Sequence, residues 1–448
     1  MASSHAAILF VEVQVGEPGC DLVDAINSAN NNASEGGCFA LHTYGDDTIQ
    51  FLIDDIVLDD TASAFGGTPP ITSNIHIVGP SQSLLTTIER SHEVGTPNFR
   101  LFSVGSTGNL TLENIELVNG NVDDDPSDGS HTGNNLYVSG SAILKNVSIR
   151  DSEGGAGAIY IAGRAATHAS LQIEKSSFYN NKSASRGGAI NVAPYSKVSI
   201  YDSTFTNNTA SAGGGAIAIH GIETYVFIYN TTITENTGDG SQNFGSQGGG
   251  IFASSAIQTL GQKNQLVIRN SIISSNIAGG ASSFSAADEF FLHNPPSGQS
   301  FSNITVDNNI IGHADISTDT AVSGYSVDSS NILVTSDSDL PTPFNKILSP
   351  LRQKSKSQSY YPPIENSPAI DTGVPFRVTG SPPLAIYEPG CTGLLATVGL
   401  PAPYRSDQRD VERPIGSGCD IGAIEYEPET EQCYVFPTPN DKMVVFCL

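Results

Sequence analysis

Eight side chains in the middle of the chain offer the groups a polysaccharide lyase uses: Arg164, His168, Lys175, Arg186, Tyr195, Lys197, Tyr201 and His220. Such an enzyme needs a base to take a proton beside a uronate carboxylate and a cation to neutralise that carboxylate. Arg186 is singled out because it interrupts the small-residue corner from Ser185 to Gly188, although a corner salt bridge explains it equally well. A glycoside hydrolase needs two carboxyl groups about 5–10 Å apart. Glu174, Asp202, Glu223, Glu235 and Asp239 are available for that role, but with 46 Asp and Glu residues such pairs arise by chance. Tyr160, Tyr195, Tyr201 and Tyr225 are candidates for stacking on sugar rings in a chain without Trp, and Tyr is also an ordinary strand residue. Asp123, Asp124, Asp125 and Asp128 form an oxygen-rich loop of the kind Ca2+ prefers, and Asp54, Asp55, Asp59 and Asp60 form a second cluster. Neither has the order of a known calcium loop, so a solvated acidic loop is the simpler account of both.

These residues sit inside a repeat. Residues 171–181 read LQIEKSSFYNN, 198–208 VSIYDSTFTNN, 226–236 VFIYNTTITEN and 266–276 LVIRNSIISSN. In each, two apolar positions lie five apart: Ile173 and Phe178, Ile200 and Phe205, Ile228 and Ile233, Ile268 and Ile273. Weaker copies place Leu112 with Leu117, Leu144 with Ile149, and Val306 with Ile311. The second positions step by 32, 29, 27, 28, 40 and 38 residues from Leu117 to Ile311, a spacing that signals a solenoid. Apolar residues alternate with period two inside each unit, which excludes helical repeats. Glycine-flanked strands fall between the units, starting at Gly157, Gly188, Gly215 and Gly250. Asn at the same corner of each coil is placed to stack and hydrogen-bond along the axis. The chain is therefore expected to be all-β, a single-stranded parallel β-helix, with insertions within 235–250, 254–265 and 277–302.

The ends depart from this pattern. Leu22, Val23, Ala25, Ile26 and Ala29 are at helical spacing and predict a helix over 20–30 that caps the open end of the solenoid. The expected organisation is a cap and irregular coils over 1–100, regular coils over 101–340, and a Pro- and Ser-rich linker with a tail that packs back on the solenoid over 341–448. Six cysteines pair most economically as neighbours: Cys20 with Cys38, Cys391 with Cys419, and Cys433 with Cys447. Such disulfides imply an oxidising, extracellular compartment. The apolar run Ala6–Val11 is too short to span a bilayer and lacks the flanks of a signal peptide. A net charge of −26 argues against nucleic acid and anionic membrane surfaces as partners.

Three stretches resemble a known family. Cys20-Asp-Leu-Val-Asp-Ala-Ile-Asn-Ser-Ala-Asn, followed by Asp46-Asp-Thr-Ile-Gln-Phe and Pro70-Ile-Thr-Ser-Asn-Ile-His-Ile-Val-Gly-Pro, is similar to the N-terminal segment of CSLREA-type surface proteins, with Asp21-Leu-Val-Asp in place of Ser-Leu-Arg-Glu. The Gly-Gly-Ala-Ile and Phe-x-x-Asn repeats resemble those of polymorphic outer-membrane proteins. Asn366-Ser-Pro-Ala-Ile-Asp-Thr-Gly, Asp407-Gln-Arg-Asp-Val-Glu-Arg-Pro and Cys419-Asp-Ile-Gly-Ala-Ile-Glu resemble the end of choice-of-anchor Q β-helices. The resemblance implies a right-handed parallel β-helix at a cell surface. It names no activity, because function does not follow from this fold.

The first functional reading is a secreted or cell-surface module for adhesion or for binding a glycan or protein. A carbohydrate-active enzyme, a lyase before a hydrolase, is second. A stalk or filament subunit is third, and the N-terminal cap argues against simple end-to-end stacking. Asn-x-Ser/Thr sequons at Asn32, Asn109, Asn146, Asn181, Asn207, Asn230 and Asn303 suggest glycosylation, yet the corner repeat itself demands Asn before Ser or Thr.

Overall fold

The computed structural model describes residues 7–64, 66–82, 84–122, 132–239, 248–255, 264–279, 289–293, 303–312, 322–323, 326, 329–334, 344–353, 358–374, 377–379, 386–388, 406–414, 417–427, 433–437 and 443–447. Over these residues the chain is an all-β parallel solenoid with a single α-helix. Each regular coil visits four sheets in turn. The coil that begins at residue 169 contributes Ala169–Glu174 to sheet A, Ser177–Tyr179 to sheet C, Lys182–Ser183 to sheet D and Ile190–Val192 to sheet B. Sheets A and C have ten strands, sheet B eight and sheet D six.

The five-residue spacing becomes two inward columns. On sheet A, Leu112, Leu144, Ile173, Ile200, Ile228, Ile268 and Val306 pair in unbroken parallel register. On sheet C, Leu117, Ile149, Phe178, Phe205, Ile233, Ile273 and Ile311 do the same. Phe178 and Phe205 stack in the interior at 4.5 Å. Between the two columns the chain must turn within two or three residues, and it does so through one residue with positive φ per coil: Asn114, Asn146, Lys175, Asp202, Asn230, Asn270 and Asn308. Left-handed backbone costs an ordinary L-residue about 1–2 kcal/mol. Asn tolerates it best among residues with a side chain, which is why Asn dominates the position.

The Asn ladder expected along the axis is present and lies inside the solenoid. Asn181, Asn208, Asn236 and Asn276 each donate through Nδ2 to the next residue's side-chain oxygen, with Glu289 closing the series. This burial overturns the glycosylation reading for three sequons. Asn146, Asn181 and Asn230 are buried in the fold, so their side chains are inaccessible to a transferase. Asn32, Asn109 and Asn207 are exposed. Before the strands of sheet B, Gly187 and Gly248 have positive φ, and an added Cβ would lie 2.1–2.2 Å from the carbonyl oxygens of Ile190 and Ile251; no other residue fits there.

The helix spans Leu22–Asn31, with Asp21 as N-cap and Asn32 as left-handed C-cap. It buries Leu22, Ala25, Ile26 and Ala29 against the first coils. Val23, expected on this face, is only half-buried. Ser28 takes the inner position, where its hydroxyl accepts from the Glu35 amide at 2.9 Å. The Cys20–Cys38 disulfide closes the loop around the helix, a constraint on the order of 3 kcal/mol. Cys419 is also disulfide-bonded; Cys391 lies outside the described residues. Cys433 and Cys447 are opposite one another in an antiparallel ribbon. The segments expected as insertions partly contain coil strands, Ile251–Ser255, Ile277–Gly279 and Phe290–His293, because the ladder of the preceding coil continues through them. Thr237–Asp239 is a coil strand as well, whereas residues 240–247, 256–263, 280–288 and 294–302, and the boundary expected near 340, lie outside the described residues.

On the outer face of sheet C a second apolar cluster forms. Ile272 and Ile310 meet Ile347, Leu348, Tyr361, Ala369 and Ile421. Ile347, Leu348, Tyr361, Ala369 and Ile421 thus tie segments of the tail to the coils.

Candidate functional site

The residues singled out for chemistry are distributed over three places. Tyr160, Arg186 and His220 come together on the outer face of sheet B around Asn191. There His220 Nε2 lies 2.6 Å from Asn191 Oδ1, and Asn191 Nδ2 donates to the Arg186 carbonyl. Burial, reinforced by the Arg186 charge, pulls His220 down to about 4, so it is neutral at pH 7 and a weak base. Burial also lowers Arg186, whose guanidinium sits 5.2 Å from the centre of the Phe252 ring. Tyr160 stacks on Tyr137 at 5.9 Å with the rings nearly parallel. A stacked pair occupies each other's faces and leaves edges outward, which is the wrong presentation for a sugar platform.

Lys175 and Tyr201 lie at the edge between sheets A and C. Lys175 Nζ pairs with Asp410 and donates to Ser406 Oγ at 2.6 Å, so the tail already holds this cation. Tyr201 stacks on Tyr229 at 5.5 Å. Asp202, one coil on, lies 3.2 Å from the Arg413 guanidinium, and Arg413 also meets Glu425 at 2.8 Å. All three side chains are almost completely buried. Burial raises Asp202 to about 7, partly offset by Arg413 and Lys175. Asp407 accepts from Arg409 and from the Glu425 amide, and Gln408 accepts from the buried Thr204 hydroxyl. At a third corner Glu235 accepts from the Tyr361 hydroxyl. These contacts fasten Ser406, Gln408, Asp410, Arg413 and Tyr361 to the solenoid, and Lys175, Asp202 and Glu235 are already engaged by the tail. The charged corners Lys175, Asp202 and Glu235 stand where other coils carry Asn or another small polar residue, which is the sequence signal for the fastening.

His168, Tyr195 and Tyr225 form the third group, at the corner where sheet B leads into sheet A. His168 Nε2 is 3.0 Å from Glu223 Oε2, and both side chains remain about one-third exposed. Tyr195 and Tyr225 cross the imidazole at 73° and 61°, with centroids 5.9 and 6.1 Å away. Lys197 is paired in register with Tyr225 and is exposed. Among the candidate residues this is the one arrangement that sets a partly exposed histidine against a carboxylate.

A fourth feature was not singled out from sequence. On the outer face of sheet A, the strands Asp46–Phe51, Asn74–Val78, Asn109–Glu113 and Ser141–Lys145 line a shallow groove of about 500 Å³. Asp46, Asn74, Asn109 and Ser141 form one row, and Thr48, His76, Thr111 and Ile143 the next. Asn109 donates to Asn74 Oδ1, Asn74 donates to Asp46 Oδ1 at 2.6 Å, and His76 lies 3.2 Å from Glu113. The signal for this row is an Asn, Asp or Ser at the first outward position of successive sheet A strands.

The acidic loop with Asp123, Asp124, Asp125 and Asp128 lies outside the described residues. Among the described residues no group of three or more His, Cys, Asp or Glu is arranged to hold a metal ion, and no helix is long and apolar enough to cross a membrane. Comparison with protein-family models, curated proteins and solved structures finds no match.

Proposed function

We propose that this chain is an extracellular or cell-surface β-helix module that binds a glycan in the groove on the outer face of sheet A. The observation that carries the reading is the two-row set of hydrogen-bonding side chains lining a groove of about 500 Å³: Asp46, Asn74 and Asn109 are exposed, and Ser141, Thr48, His76 and Thr111 are half-buried beside them. Amides, hydroxyls and an imidazole recognise hydroxyl-rich ligands. The net charge of −26 disfavours polyanionic chains, so neutral glycans fit best. Screening a glycan array with the wild type and with Asn74→Ala tests this: neutral glycans should be retained by the first and lost by the second. Silence across the array, or binding confined to proteins, rejects it.

A carbohydrate-active enzyme is the second reading, favoured by the His168–Glu223 pair with its two tyrosines. Incubation with polysaccharides, followed for unsaturated products and new reducing ends, decides it. Turnover abolished by His168→Ala supports an enzyme; no turnover on any substrate leaves the binding module alone.

A further inference from the structure

The groove does not end at Ser141. Its outer row continues in strict register along sheet A: Asp46 pairs with Asn74, Asn74 with Asn109, Asn109 with Ser141, Ser141 with Ser170, Ser170 with Lys197, and Lys197 with Tyr225. The Ser141 and Ser170 hydroxyls are 2.6 Å apart, so side-chain contact continues from the last strand of the groove into the next coil. His168, Tyr195 and Glu223 each precede their row residue, Ser170, Lys197 and Tyr225, by two positions and flank the far end.

We infer that the groove and the His168 corner are two ends of one track, which holds a linear neutral polysaccharide along the solenoid axis with Tyr195 and Tyr225 as its terminal subsite. This rests on the glycan-binding reading of the groove. Seven adjacent strands give six steps of about 4.8 Å, a track of roughly 29 Å. A β-1,4-linked pyranose chain advances by nearly one strand spacing per residue, so successive sugars meet equivalent side chains without strain in the ligand. The charge distribution selects a neutral occupant. Asp46 and Lys197 lie towards opposite ends of the row, His76 faces Glu113, and His168 faces Glu223, so no run of one sign is present to attract a polyelectrolyte. The two tyrosines cross His168 steeply rather than stacking in parallel and remain half-buried rather than covered, and aromatic rings of this kind pack on the apolar faces of sugars.

The test is the dependence of affinity on chain length. Calorimetric titration with cello-, manno- and N-acetylchito-oligosaccharides of two to seven residues should show, for the series that binds, affinity rising by at least tenfold between the trimer and the hexamer and then levelling. Tyr225→Ala should lower hexamer affinity about tenfold and leave the trimer unchanged, Tyr225→Phe should retain hexamer binding, and Asn74→Ala should weaken both. Unfolding midpoints of the variants confirm that each is folded. A trimer that binds as tightly as the hexamer overturns the track and leaves the groove reading standing. Failure of every series to bind overturns the groove reading and the track with it.

Discussion

The outer faces of sheets A and C are built from the same coils and meet opposite fates. On sheet C, Thr204, Thr206 and Thr232 point outward and are buried, engaged by Gln408, Tyr361 and Ala423 of the tail. On the first strands of sheet A, Asp46, Asn74 and Asn109 point outward and remain exposed. The difference follows from which corner residues carry charge. Lys175, Asp202 and Glu235 replace small polar residues at turns and supply fixed partners for Asp410, Arg413 and Tyr361. Between Asp46 and Lys197 the row on sheet A consists of amides and hydroxyls, groups that can also hydrogen-bond a ligand. A repeat scaffold thus separates a face for its own chain from a face for a partner by a few substitutions at one register.

The comparison is broken most severely at Arg413. Replacing it with Met leaves Asp202 and Glu425 buried without their cation, at a cost of about 3–5 kcal/mol. The expected outcome is a large loss of unfolding free energy in denaturant titration, together with protease sensitivity of residues 406–427, while the groove on sheet A keeps its affinity. Next is Asn208→Ala. It removes the acceptor of Asn181 and the donor to Asn236 in the interior, and unpaired buried amides cost about 1–3 kcal/mol. Thermal unfolding should register that loss with no change in tail protection.

A smaller effect separates the faces by pH. Asp202 is raised from an ordinary carboxylate value to about 7 by burial, with Asp407 adding to it and Arg413, Lys175 and Asn230 opposing it. The folded form therefore holds this proton more tightly than the unfolded chain. The associated stability is complete below pH 4 and lost as pH rises through 7. Unfolding free energy should fall between about pH 4 and 7 and level off above that, and Asp202→Asn should flatten that slope. A slope that persists in the variant assigns it to another group.

Much of the fold was legible in the sequence because period-two alternation and a constant five-residue offset permit one parallel register. The inner columns, the cap helix and the Cys20–Cys38 bond follow from local spacing. The Asn ladder was legible as a ladder, but its burial was not, since Asn followed by Ser or Thr is also an exposed sequon. The groove was illegible for a different reason. Asp46, Asn74, Asn109 and Ser141 are 28, 35 and 32 residues apart, and unequal turns hide their common row until strand register is known. Arg186 and Lys175 were read as candidate catalytic cations because exposure cannot be judged from a corner position. One rests over Phe252 and the other is held by the tail.

The most direct test of the open face is imidazole NMR during titration with a neutral oligosaccharide that binds. The account predicts that the His76 resonance moves with short oligomers, that His168 moves only with long ones, and that His220 on sheet B does not move. Movement of His220 with His76 and His168 unchanged would put the ligand on sheet B and contradict it.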